Sequence, residues 1–132
     1  MGNILVLVEH VAGRPKKAAL AGISFALQLA QYSHSQIQAL VVGHHLSTVV
    51  DHLASSGASK IYVADDSCFE NYLAESYTLA VEAAVKQSGA AYVVASSSSL
   101  SKDLFPRLAI KLSAAMASDV MAVVSANTFK RP

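Results

Sequence analysis

Cysteine is nearly absent: Cys68 stands alone among 132 residues, so the chain holds neither a disulfide framework nor a cysteine-built metal cluster. A lone thiol fits a reducing compartment. Charge is scarce too, at 14% of residues, and the formal net charge of +1 comes from dispersed Lys and Arg rather than from the basic stripe of a nucleic-acid binder. The pair Lys130-Arg131 reads as a solvated tail or a cut point rather than a binding patch. No apolar run approaches the roughly 20 residues that cross a bilayer, so direct membrane insertion is not expected. No basic n-region precedes the first apolar stretch, so no secretory signal is expected either. Glycine is thin where nucleotide folds need it. The first turn, Glu9 to Lys17 (EHVAGRPKK), carries one, short of the set that lets backbone approach a pyrophosphate. Neither a GxxxxGK[ST] loop nor a GxSxG elbow is present, so the serines at Ser96 to Ser99 are poor hydrolase nucleophiles.

Apolar residues fill the space left, at 53%, with a mean hydropathy of +0.40. The length suits one domain with a real core, residues 1–132, and the surplus of apolar surface suits a further face buried against a neighbour. Short runs rich in Val and Ile read as strands covered on both faces: Asn3 to Val8, Ile37 to Val42, Lys60 to Ala64, Ala91 to Ala95 and Asp119 to Val124. Between them lie helical patterns. Lys16 to Tyr32 carries Ala19, Ile23, Ala26, Leu27 and Ala30 on one stripe. A short segment to Ser55 is capped by Ser47 or Thr48. Glu70 to Ser88 ends at Gly89. In the last helix Leu104, Leu108 and Leu112 recur at intervals of four beside Phe105 and Ala109, while Arg107 and Lys111 share the wet face. Asp103 is the expected N-cap there, with Pro106 inside the first turn. Strand and helix alternate throughout, which predicts an α/β fold: a three-layer sandwich around a five-stranded, mostly parallel sheet.

In such sheets ligands gather at the C-terminal ends of the strands. Four groups of residues fall there. Glu9-His10 reads as a solvated strand end. His44-His45 tempts a metal reading, but neighbours on an extended turn point apart and no cysteine or carboxylate stands at ligand spacing, so no metal site is expected. Asp65-Asp66 could serve magnesium or acid–base chemistry, but without a phosphate loop beside it the simpler reading is that Asp66 or Ser67 caps the next segment and Asp65 is exposed. The Ser96 to Ser101 turn could hold an anion, although hydroxyls before a helix are usually structural. Catalytic, cofactor-binding and metal-ligating residues are therefore not assigned.

Two stretches resemble a known family. ILVLVEH at Ile4 to His10, an alanine-rich helix and LVVG at Leu40 to Gly43 resemble the N-terminal domain of the electron transfer flavoprotein alpha subunit. More specifically, KDLFPRLAIKLSAAMASDVMAV, Lys102 to Val123, is similar to that family's PRxAxxL block followed by a Ser-Asp-hydrophobic strand. TFKRP, Thr128 to Pro132, resembles the segment leading into the family's flavin domain. The resemblance implies a fold akin to the adenine nucleotide alpha hydrolases. It implies an electron-carrier subunit rather than an enzyme, paired with a beta subunit that binds AMP. It implies transfer through FAD from acyl-CoA dehydrogenases, in fatty acid beta-oxidation, and other dehydrogenases to a membrane quinone oxidoreductase. The FAD is held chiefly by a C-terminal domain that this chain lacks. It implies a cytoplasmic protein in bacteria or one of the mitochondrial matrix. On this reading Phe105, Arg107 and Asp119 are candidate interface residues, Arg107 through planar bidentate bonds to carboxylates or carbonyls. The alternative from the same fold is a small nucleotide-binding module using the crevice near Glu9, His10, Gly43, Asp65 and Ser96. A weaker one is a hydrolase built on Ser97 or Asp65 with His44.

Overall fold

The computed structural model of the chain describes residues 2–118, 120, 122–125 and 128–130. Strand β1 (Asn3–Leu7) shows why the first apolar run does not alternate with polar residues. Ile4 and Val6, with Val8 beyond the strand, face one side of the sheet, Leu5 and Leu7 face the other, and all are buried. A ribbon of β2 (His10–Val11) and β3 (Arg14–Pro15) follows, turned through Ala12 and Gly13, both at positive φ (52° and 76°). That is the backbone a two-residue hairpin requires.

Helix α1 (Lys17–Ser33) leads to β4 (Ile37–Gly43), α2 (Ser47–Leu53) to β5 (Lys60–Asp65), α3 (Ala74–Ser88) to β6 (Ala90–Val94), and α4 (Ser99–Leu112) follows. Among the described residues the main sheet holds four parallel strands in the order β5-β4-β1-β6. One core joins Ile4, Val6, Val8, Ala39 and Val41 to Ile23, Ala26 and Leu29 of α1 and Val49 and Leu53 of α2. The other joins Leu5, Leu7, Leu40 and Val42 to Tyr77 and Val81 of α3 and Leu104 and Leu108 of α4. Three layers result, as the alternation of strand and helix predicts. The chain reverses its march across the sheet between β1 and β6, so the crevice opens between these two strands.

The expected fifth strand is a correction. Of Asp119 to Val124, the described residues 122–124 lie in β7 (Ala122–Ser125), which pairs antiparallel with β8 (Thr128–Lys130) in a separate two-stranded sheet. The segment expected to be a tail offers β7 a mate only a short connection away, and antiparallel neighbours need no long crossover. The ribbon lies against α1, where Phe129 packs on the first core with its ring 6.3 Å from that of Phe25.

Helix limits differ from expectation at three places. α3 begins at Ala74, because Ser67–Phe69 forms a separate 3-10 turn. α2 has no side-chain cap of its own, so neither Ser47 nor Thr48 plays that part. α4 begins at Ser99, which puts Asp103 in its second turn and Pro106 in its interior; neither is where the sequence reading places it.

Candidate functional site

Ser98 and Ser101 explain the early start of α4. Ser98 Oγ accepts from the Ser101 N–H (3.1 Å), and Ser101 Oγ accepts from the Ser98 N–H (2.9 Å) while donating to the Ser96 carbonyl (2.6 Å). This is a capping box with serine in place of the usual glutamate. The serine turn is thus used up by its own backbone.

The Ser98 hydroxyl proton goes elsewhere, to Glu9 Oε2 at 2.5 Å. Glu9 is only 8% exposed, with Lys16 Nζ 3.5 Å from its other oxygen and the Lys16 N–H on its carbonyl at 2.9 Å. The solvated strand end expected for Glu9 is therefore wrong. Glu9, two residues past β1, and the residue capping α4 meet at the reversal point, so a buried carboxylate stands in the crevice where such folds gather ligands. Sequence reasoning missed the pair because 89 residues separate its members.

His10 closes the next side. Its Nε2 lies 2.9 Å from the Val42 carbonyl and so carries the proton as the donor. A Cβ on Gly43 would stand 2.8 Å from that nitrogen and 2.9 Å from Leu46 Cδ2, which is why the end of β4 is glycine.

His44 and His45 do not point apart: their rings stack with centroids 3.7 Å apart. Asp65 caps the approach to α2 from across the sheet edge, accepting from the N–H groups of His45 (2.9 Å) and Leu46 (3.0 Å). The Leu46 N–H, then that of His45 and the nearby His44, hold its carboxyl below the ordinary range against the contrary push of burial. His44 Nδ1 lies 3.4 Å from Asp65 Oδ1, near enough for attraction but without hydrogen-bond geometry, and has no other described partner. Asp66 caps the 3-10 turn by accepting from the Cys68 N–H (3.0 Å), one of the two caps expected there. Both acids hold backbone in place, and Asp65 is committed to a role other than the hydrolytic one considered for it with Ser97 and His44.

Asp103, relieved of capping, accepts from the Tyr72 hydroxyl (2.6 Å) and lies 3.7 Å from Arg107 Nε one turn on. Burial first, and then this bond, push the Tyr72 phenol up to about 12. Phe105 is half-buried against the second core, and Arg107 is exposed. Asp119, their expected companion, lies outside the described residues.

What remains open at the strand ends is a cleft of about 250 Å³ between Glu9, His10, Lys16, His44, Tyr72 and Leu100. That is below the range usual for small-molecule sites, roughly 300–1,000 Å³. Glu9 and His10 in its walls are held by internal bonds, and Tyr72 donates to Asp103, whereas His44 Nδ1 has no described hydrogen-bond partner.

The family model described as the electron transfer flavoprotein domain matches residues 4–132. The mitochondrial electron transfer flavoprotein subunit alpha of Arabidopsis thaliana is 30% identical over 132 residues, covering 98% of this chain and 36% of the relative. The corresponding protein of Oryza sativa subsp. japonica is 30% identical over 134 residues, covering 98% and 37%. The electron transfer flavoprotein subunit alpha of Thermoanaerobacterium thermosaccharolyticum is 26% identical over 117 residues, covering 89% and 36%. The chain spans little more than a third of the length of these relatives. By the extent of the family match, the chain belongs to the electron transfer flavoprotein domain family.

Proposed function

We propose that residues 1–132 form one domain, equivalent to the N-terminal domain of an electron transfer flavoprotein alpha subunit, which carries no redox centre of its own and serves as a scaffold for pairing with a beta-type subunit. The observation that supports this reading is the narrowed crevice: Glu9, held by Ser98 and Lys16, stands buried at the reversal point of the sheet. A flavin dinucleotide brings a pyrophosphate, and the buried carboxylate repels it. FAD therefore does not fit these residues and belongs in this reading to a C-terminal flavin domain, as AMP belongs to the beta-type partner. The complex would pass electrons from acyl-CoA and other dehydrogenases to a membrane quinone oxidoreductase, as a carrier and not as an enzyme, in the bacterial cytoplasm or the mitochondrial matrix. No described helix is long and apolar enough to cross a membrane.

The partner surface in this reading is the outer side of α4. Ile110 is 82% exposed there, beside the exposed Arg107, while Phe105, about 200° around the helix from Arg107, is half-buried against the second core and Asp119 follows the helix in sequence. An isoleucine so open to water on a domain with few charges is what a covering subunit explains. Co-expression with a beta-type subunit tests it. We expect a one-to-one complex that Arg107→Glu and Ile110→Asp each weaken at least about tenfold, or about 1.4 kcal/mol. A chain with no affinity for any such subunit would overturn the proposal. Calorimetry with AMP is the second arm. No binding is expected, and a micromolar constant, about −8 kcal/mol, would favour a nucleotide-binding module instead.

A further inference from the structure

Among the described residues β5 ends the sheet, with no strand paired on its outer side. Such an edge offers a row of free N–H and C=O groups, and proteins usually blunt it with proline, a bulge or a covering helix. Here Lys60 to Asp65 contains no proline and runs in unbroken register with β4. Lys60 is its one blunting cation, and Val63 at its middle is 46% exposed. Beside the edge lies an open groove of about 700 Å³, floored by Ala80, Ala83 and Ala84 of α3. Small residues there let another helix come close.

The charges along the edge say what covers it. Lys60 stands at one end, its ammonium 5.7 Å from the Tyr62 ring centre and in no described ion pair. Asp65 and Asp66 stand at the other. Asp66 is still extended, with φ −155° and ψ 150°, so the strand conformation carries through it. Read in reverse, the pattern is its own complement. An antiparallel copy centred on Val63 sets Lys60 opposite Asp66 of the copy at both ends, whereas a parallel copy sets like charges together. We infer that β5 is a self-association edge, on which a second copy of this chain pairs antiparallel across a two-fold axis through Val63, extending the sheet and bringing the alanine faces of the two α3 helices together. An interface of this kind is isologous and closes on itself.

Sedimentation equilibrium of the 132-residue chain, up to millimolar concentration, tests the inference. The expected result is a reversible dimer of twice 13.8 kDa that weakens as salt rises. Val63→Lys, which sets two cations on the axis, is expected to weaken it about a hundredfold. Lys60→Glu alone and Asp66→Lys alone should each weaken it, and their mixture should form a heterodimer. A chain that stays monomeric, a dimer indifferent to Val63→Lys, a mixture that does not associate, or a different subunit found on this edge would each overturn it. Ile110 variants should leave the dimer intact and β5 variants should leave the beta-type complex intact, so failure here is distinct from failure of the α4 surface.

Discussion

Ser98 has one hydroxyl proton and two lone pairs, and the fold uses both kinds: the proton on Glu9, a lone pair on the Ser101 N–H. Removing the hydroxyl therefore strikes twice. Ser98→Ala forfeits a cap, about 1 kcal/mol, and leaves a buried carboxylate short of a donor, about 1–3 kcal/mol. Urea unfolding should show the combined loss. Glu9→Gln keeps an acceptor for Ser98 and releases Lys16, which is half-exposed, so its cost should stay within about 1 kcal/mol. Equal losses from the two variants would show that the Glu9–Ser98 bond is not what holds the crevice shut. Gly43→Ala is a second test at this scale. The new methyl meets His10 Nε2 at 2.8 Å, and overpacking of this kind costs about 1–3 kcal/mol. The same change made with His10→Ala should cost less.

Helix α2 is too short to hold itself, with no cap of its own, and draws its anchor from the end of β5. The sign of the Asp65 shift fixes how this anchor answers to pH. A carboxyl whose folded pKa lies below its ordinary 3.8 stabilises the fold above that value and loses the effect as pH falls through the folded pKa. Thermal melts of the native chain should therefore fall between pH 4 and more acid conditions by more than those of Asp65→Ala, and parallel acid limbs would contradict the assignment. Here the limit of sequence reading is visible in particular residues. Ser47 and Thr48 look like caps because capping is judged from neighbours, whereas the real acceptor stands 19 and 20 residues away. Glu9 and Ser98 are hidden in the same way. Gly89 was legible as a helix stop because its left-handed conformation, φ 67°, is a local demand. The start of α4 shows a local competition decided wrongly: Asp103 and Pro106 suit a helix start, but the Ser98–Ser101 box comes first in the chain and closes both N–H groups reciprocally.

At the scale of the molecule, the layers were legible because strands buried on both faces leave unbroken apolar runs, and the fate of the fifth strand was not, because pairing is a contest between distant and nearby mates. The same reasoning separates two kinds of apolar residue on α4. Leu108 and Ile110 are two positions apart, about 200° around the helix, and differ in exposure from 3% to 82%. Leu108→Ala opens the second core and should cost about 2–5 kcal/mol in urea unfolding, in the isolated chain and in any complex alike. Ile110→Asp touches no core, so its unfolding free energy should change by less than about 0.5 kcal/mol. If a beta-type subunit covers this face, however, a carboxylate is buried in the complex without a partner, and affinity should fall about a hundredfold or more. Unchanged affinity for the beta-type subunit on Ile110→Asp, with the fold intact, would move the partner surface off α4 and leave the exposure of Ile110 to be explained by something other than this pairing.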